Sequence, residues 1–281
     1  MTAIQVEKQY LECFPKNKSL FTYQDIGTTS RQNISVSVYL TEPGSGIKFI
    51  ISDLKDNKPV VIPALAENVV NTLRNVVVGQ GSNRLCLVEH FLAAAAFCNA
   101  FDIDVVVDGL ELPLGDGSAH FWLDLFSQAG FPAKLPSEKF ELKEAVFINR
   151  GDRQLIAMPA NEFSITYLMD WQHPCIGKRW RKWTVSQPIM DIAKARTFGW
   201  QKDHEMLGIG SESVSLTETG FDKPLHYEDE PVRHKLLDLF GDLVLCGVNP
   251  LSIQAQFISI KGGHEMDVDL AKQLRGKLVK I

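Results

Sequence analysis

The chain of 281 residues has little that would place it in a specialised class. Its five cysteines, Cys13, Cys86, Cys98, Cys175 and Cys246, are scattered and odd in number, and none forms a C-x-x-C pair. That argues against a disulfide framework and a cysteine zinc site, and predicts reduced thiols packed mostly in the core. Positive charge is not in excess: 29 Lys and Arg stand against 34 Asp and Glu, a net charge of -5. No global field would draw nucleic acid or an anionic membrane, although a local basic cluster could bind a phosphate-bearing ligand. No apolar run approaches the ~20 residues of a membrane span; F-L-A-A-A-A-F is among the longest. The N-terminal stretch M-T-A-I-Q-V-E-K-Q-Y-L-E has no apolar signal core, so the expected location is the cytoplasm. Low-complexity tracts are missing too. The remainder, 45% hydrophobic and 22% charged, is ordinary globular composition and excludes disorder, collagen and coiled coil as the main architecture.

The first eighty residues read as strands and turns. N-I-S-V-S-V-Y-L (33–40) and I-K-F-I-I-S (47–52) alternate and carry β-branched residues, with P-G-S-G between them. L-V-E-H-F-L-A-A-A-A-F-C (87–98) is Ala-rich and reads as a buried helix. D-I-D-V-V-V-D-G (102–109) predicts a strand, and D-G-S-A-H-F-W-L-D-L-F-S-Q-A-G (116–130) a helix with Ser118 as N-cap and Gly130 as its stop. The segment 131–139, with two prolines, is a linker. Beyond it, 139–148, 153–159, 162–170 and 251–260 read as strands, and 230–246 and 265–278 as helices, with Pro231 at the tolerated first turn.

The halves share an order of strands, helix, strand, helix. V-E-H (88–90) opens an apolar helix ending at Cys98, and V-R-H (232–234) opens one ending at Cys246. If this is a duplication, His90 and His234 occupy equivalent positions. Two such helices meeting face to face would bring the histidines together.

The best constellation for chemistry is H-K-L-L-D. His234 and Asp238 at i and i+4 share one helix face and can reach one ion. The plainer alternative is a surface pair with Asp238 on the polar side. The helix is otherwise very apolar, so this polar stripe is out of pattern. Catalytic zinc commonly takes three N/O ligands, and Glu89-His90 is the best source of the third. A buried Glu89 would need a partner; alternatively it favours the helix N-terminus. His264, in K-G-G-H, stands between a strand and a helix, where a carboxylate could hold it protonated as a general acid. In A-R-T-F-G-W (195–200), Arg196 and Thr197 precede a glycine, where an anion or oxyanion contact could form. D-G-L-E-L-P-L-G-D-G-S-A (108–119) needs no function.

Taken together, V-E-H-F-L-A-A (88–94), P-L-G-D-G-S-A (113–119), D-W-Q-H-P-C-I-G (170–177), A-R-T-F-G (195–199), E-D-E-P-V-R-H-K-L-L-D-L-F-G-D-L (228–243) and K-G-G-H (261–264) resemble the zinc-dependent UDP-3-O-acyl-N-acetylglucosamine deacetylases. These enzymes carry out the committed step of lipid A synthesis. The resemblance implies zinc on His90, His234 and Asp238, with iron(II) as the alternative ion. It implies Glu89 as general base and His264 as general acid, with Asp242 pairing His264. Thr197 would donate to the oxyanion, and Lys235 and Phe198 would contact the substrate. The implied fold is α+β: a first domain over 1–131 and a second over 138–281, each a sheet backed by helices, with a helical layer between the sheets and an insertion around 199–228. The implied partner is a UDP-linked acylated amino sugar, bound by a monomer with no nucleic acid and no stable membrane insertion. The rival readings are a paralogue acting on another N-acetylated sugar and a non-catalytic zinc-binding relative. Three segments depart from the family pattern. D-I-G-T-T-S-R-Q (25–32) stands where a G-x-G-L-H-x-G signature is usual, N-T-L-R-N-V-V-V-G (71–79) replaces a Thr-rich segment, and L-G-I-G-S-E-S-V-S-L (207–216) lies in a shortened acyl-chain insertion. These departures bear on acyl-chain specificity.

Overall fold

The computed structural model describes residues 4–14, 17–52, 58–207, 209 and 213–281. Met1, Thr2 and Ala3 of the N-terminal stretch, and Gly208, Gly210, Ser211 and Glu212 of the divergent insertion, lie outside the described residues. The first half runs α1 (Ile4–Cys13), β1 (Lys18–Ile26), β2 (Asn33–Leu40), β3 (Ile47–Ser52), β4 (Pro59–Pro63), the short strands β5 (Val69–Asn71), β6 (Val77–Gln80) and β7 (Asn83–Cys86), then α2 (Glu89–Phe97), β8 (Ile103–Asp108) and α3 (His120–Gln128). The second runs β9 (Phe140–Leu142), β10 (Val146–Arg150), β11 (Arg153–Pro159), β12 (Ser164–Trp171), β13 (Gly177–Thr184), α4 (Met190–Ala193), β14 (Phe198–Trp200), α5 (Gln201–Leu207), β15 (Val214–Leu216), α6 (Glu230–Leu243), β16 (Ile253–Ile260), α7 (His264–Leu274) and β17 (Leu278–Lys280).

The fold is α+β, with sheets backed by helices. The first sheet has the order β1-β2-β8-β3-β4, with β8 antiparallel to β2 and parallel to β3. The second has β10-β11-β16-β12-β13, with β16 antiparallel to β11 and parallel to β12, while β9 and β17 extend it beside β16. The two orders coincide: in each, the strand after the long helix returns between the second and third strands. The symmetry between the halves is therefore one of topology, and it makes α2 and α6 equivalent.

These two helices pack on each other in the interior. Every residue of α2 is buried, which is why its sequence is apolar all round rather than striped. Ala93 to Ala96 keep the helix thin, and Gly241 of α6 lets its backbone touch the Glu89 carbonyl, where any Cβ would collide. Phe97 stacks on Phe240 with ring centroids 4.3 Å apart and planes at 6°. Full burial of such a side chain contributes roughly 1.5–3 kcal/mol, so the helix pair forms a firm platform. On β16 the alternation is clean: Ile253, Ala255 and Phe257 face the core, and Gln254 and Gln256 face outward.

Several expectations need correction. The first eighty residues are not strands and turns alone, because α1 lies on the outer face of the first sheet. Val6 and Tyr10, one turn apart, pack there against Tyr39, Ile50 and Val106, and the Tyr10 hydroxyl donates to Asp104 at 2.9 Å. The strand expected over 139–148 is two strands, β9 and β10. The helix expected from 116 begins at His120. Ser118 is not its N-cap; its hydroxyl accepts the His120 N–H at 3.1 Å and donates to Asp116 at 2.7 Å. Gly130 does end that helix, at φ +89. Of the five free cysteines only Cys98 and Cys246 are buried, and Cys13 is exposed, so the thiols are not mostly core.

Candidate active site

The site is assembled where α2, α6 and α7 meet. Glu89 and His90 open α2. Before them Leu87 takes a left-handed backbone, φ +63, which turns the chain sharply out of β7. On α6, His234, Asp238 and Asp242 succeed one another at four-residue spacing on one face and are all buried. His264 is the first residue of α7. The turn before it needs Gly262, because a Cβ there would collide with the Ser259 hydroxyl.

The imidazoles of His90 and His234 are 5.1 Å apart between centroids, nearly perpendicular. Their Nε2 atoms lie 3.5 and 3.2 Å from one oxygen, Asp238 Oδ1. Asp238 is thus not half of a surface pair. The ligand atoms of all three lie within 4.8 Å of one another. His234 donates Nδ1–H to the Ala195 carbonyl at 3.0 Å, so its neutral ring turns a lone pair at Nε2 toward the carboxylate. Burial pushes this histidine down to about 4, which keeps it neutral. Asp238 Oδ1 is buried and accepts no hydrogen bond. A lone pair facing an unsatisfied carboxylate oxygen in a buried site is unfavourable unless a cation sits between them. Two imidazole nitrogens and one carboxylate are the donor set of a divalent transition metal, so the residues fit such an ion.

Around this set the charges are divided. Burial would raise Asp238, but His234, Lys235 and His90 hold it well below the usual carboxylate range. Burial lowers His90, yet the neighbouring Asp238 and Glu89 carboxylates leave it raised. The Glu89 carboxylate is buried; Oε2 accepts the Val76 N–H at 3.1 Å. That bond from the segment between β5 and β6 is the partner a buried glutamate requires. His264 Nδ1 is 2.7 Å from Asp242 Oδ2, and its Nε2 is 4.0 Å from Asp238 Oδ2. Burial alone would depress His264, but the Asp242 carboxylate outweighs it and lifts the imidazole to about 10. Asp242 itself is pushed up to about 6 by burial, with His264 opposing. Sequence reasoning missed Asp267, buried on α7 within 4.8 Å of the Asp242 and His264 ligand atoms. Burial and the Asp242 charge raise Asp267 to about 8, so it carries a proton at neutral pH. An acid three residues after a helix start gave no signal of this.

A cavity of about 600 Å³ opens over these groups. Glu89, His90, His234, Lys235, Asp238 and His264 line its floor, and Thr197 and Phe198 line one wall. Lys235 donates to Asp238 Oδ2 at 2.7 Å; burial works against its charge, but Asp238 and Tyr167 raise it. Phe198 stands edge-on to the His234 ring at 6.1 Å. Leu73, Leu87, Leu110, Leu114, Leu207 and Ile209 make an apolar arm. The insertion is thus built in as β14-α5-β15, a parallel pair with a crossing helix that contributes Leu207.

Two segments act differently from expectation. Arg196 offers no anion contact to the cavity. It is buried and bonded to Glu230 through its backbone N–H, Nε and Nη2 at 3.0, 2.9 and 3.0 Å. Glu230 also takes the His226 N–H at 2.6 Å. This knot fixes the segment that offers Ala195 O to His234 and Thr197 to the cavity. Nor is the 108–119 segment idle: the buried Glu111 accepts the Thr29 N–H at 3.1 Å and the Ser30 N–H at 2.7 Å. It holds the divergent 25–32 loop as a cavity wall of Thr28, Thr29 and Ser30.

The chain matches the family described as UDP-3-O-acyl N-acetylglycosamine deacetylase over residues 17–276. It is 33% identical over 263 residues to the UDP-3-O-acyl-N-acetylglucosamine deacetylase of Thermosynechococcus vestitus, covering 90% of each chain. It is 32% identical over 264 residues to the protein of that name in Leptospira biflexa (89% of this chain, 86% of that one) and 33% over 264 residues to that of Myxococcus xanthus (89% and 82%). The matched range starts after α1.

Proposed function

Since the chain belongs to the UDP-3-O-acyl-N-acetylglucosamine deacetylase family, we propose that it hydrolyses the acetamide of UDP-3-O-acyl-N-acetylglucosamine, releasing acetate, in lipid A synthesis. The observation that carries this reading is the convergence of a two-histidine, one-aspartate set with a buried glutamate and a carboxylate-held histidine on one cavity. His90, His234 and Asp238 would hold zinc. A divalent ion there supplies Lewis acidity, polarising the amide carbonyl and acidifying water. Glu89, anchored through one oxygen to Val76 N–H, keeps the other free to take a proton from the attacking water. His264, its Nδ1 fixed on Asp242, presents Nε2 to protonate the departing amine. Amide hydrolysis requires both transfers, since an unprotonated amide nitrogen is a poor leaving group. The Thr197 hydroxyl stands ready to donate to the oxyanion, and the Lys235 ammonium adds positive charge for the substrate. The apolar arm would take the acyl chain.

The test is acetate release by the metal-loaded protein from UDP-3-O-acyl-N-acetylglucosamine, with UDP-N-acetylglucosamine in parallel and metal analysis of the purified chain. Strong preference for the acylated substrate is expected. Release from neither would overturn the substrate. Iron in place of zinc in the active preparation would overturn the ion alone.

A further inference from the structure

The inner face of the second sheet is covered by α6 and α7. Its outer face carries a continuous apolar band, set by register. Phe147 on β10 stands beside Ile156 on β11, Ile156 beside Ile258 on β16, and one residue pair further Ile260 stands beside Leu168 on β12, and Leu168 beside Trp180 on β13. The two ends are exposed aromatics, Phe147 at 67% and Trp180 at 59%. The equivalent face of the first sheet is covered by α1.

The edge strand β13 reads G-K-R-W-R-K-W-T, four cations and no acid. Lys178 and Lys182 flank Trp180 on the outer face, since alternate residues of a strand share a face. Arg181 turns inward to Asp229 and Asp191, and Lys178 shares Asp170 with Lys261. Among the described residues, Arg179 and Lys182 have no acidic partner. A chain of net charge -5 thus places two lysines, Lys178 beside Asp170 and the unpaired Lys182, on either side of Trp180 on its apolar sheet face, while Arg179 lies along the same edge on the side of Arg181.

We propose that this face is a docking surface for a lipid bilayer bearing anionic headgroups. Tryptophan between lysines suits the headgroup layer: the indole enters the boundary while the lysine stems lie along it with their ammonium groups on phosphates. The middle of the band is aliphatic, which offers acyl chains a contact but gives nucleic-acid bases no stacking platform. The attachment is peripheral and reversible, driven by charge and shallow apolar contact.

The experiment sediments the full chain with vesicles of phosphatidylcholine alone and of an equal mixture of phosphatidylcholine and phosphatidylglycerol. Binding is expected to the mixed vesicles only, and to fall with added salt. The double variant K178E/K182E should bind at least ~10-fold more weakly, as each lysine near an anionic surface contributes several-fold. Trp180→Ala and Phe147→Ser should each weaken binding at unchanged charge; all these sites are exposed, and unchanged urea unfolding verifies the fold. No sedimentation with mixed vesicles would overturn the proposal. So would variants that bind as well as the parent, or heparin and poly-aspartate holding the parent and Trp180→Ala equally well, which marks a general polyanion or acidic-protein site.

Discussion

The Arg196–Glu230 knot lies behind the site, and breaking it should be felt in both stability and metal binding. Glu230→Gln preserves volume but removes the charge that four donors share. It leaves a guanidinium, 9% exposed, without its counter-charge: the glutamine keeps one acceptor oxygen beside the Pro224 carbonyl, and its NH2 group faces donors that Glu230 had satisfied. Breaking one partner of a buried ion pair costs about 3–5 kcal/mol. At ~2–4 °C per kcal/mol for a chain of this size, the melting temperature should drop by about 6–20 °C. The pH dependence has a defined sign. Burial would raise Glu230, but Arg196 and the two backbone donors leave it lowered. Its contribution is therefore complete above the ordinary glutamate value and is lost as pH falls through the lowered one. The gap in unfolding free energy between parent and variant should be widest at neutral pH and close in acid. Because Ala195, next to Arg196, accepts the His234 Nδ1–H, the variant should also bind metal about 10–100-fold more weakly, as loss of ligand orientation does elsewhere. Urea unfolding across pH and a competitive metal titration measure both. A variant that melts within ~2 °C of the parent and binds metal equally well refutes the reasoning.

His234→Ala should lower bound metal well below the parent stoichiometry by elemental analysis, and unchanged content removes His234 from the ligand set. Asp242→Asn removes the charge that lifts His264 to about 10 against burial, so the alkaline limb of kcat/KM should move to lower pH by more than ~1 unit; an unmoved limb excludes His264 as the acid. Gly241→Ala places a methyl against the Glu89 carbonyl, where only backbone could yield. It should cost ~3 kcal/mol or more in urea, and a cost below ~0.5 kcal/mol means the two helices are not in such contact. Glu111→Ala frees the Thr29 and Ser30 amides, so KM should rise more than kcat falls in steady-state assays; a pure kcat loss assigns the loop to chemistry instead.

What the sequence made legible was whatever a local period encodes. β2, β3 and β11 match their alternating segments to the residue, and His234 with Asp238 follows from one helical turn. The misses share a cause. Among its described side chains the α1 helix buries only Val6 and Tyr10, too little for a periodic signal, and it is stable because the sheet is there to receive it. Glu111 binds amides more than eighty residues away, and Glu230 binds an arginine 34 residues earlier. A carboxylate whose partners are backbone N–H groups from elsewhere leaves no trace in spacing. Arg196 shows the reverse error: a cation before a glycine suggested a ligand contact, but its charge is spent internally.

The symmetry between the halves accounts for half of the site and no more. Equivalent helices bring equivalent histidines together, and His90 and His234 do meet. The residue before each differs, however: Glu89 in one copy, Arg233 in the other. Two carboxylates here would repel each other and Asp238. A free arginine would compete with a metal ion. Arg233 is instead drawn away, its Nε bonded to Asp229 at 2.6 Å and its Nη1 3.6 Å from Asp191. Asp238 and Asp242 have no acidic counterpart one and two turns after His90, where Ala94 and Cys98 stand. On the proposed reading, the first half thus presents the proton acceptor, and the second presents the aspartates that would hold the ion and the acid. Exchanging Glu89 and Arg233 would keep composition, fold class and both histidines, yet place a cation on the site and strand a carboxylate beside Asp229 and Asp191. Direction in this site comes from where the pattern shared by the two halves is broken.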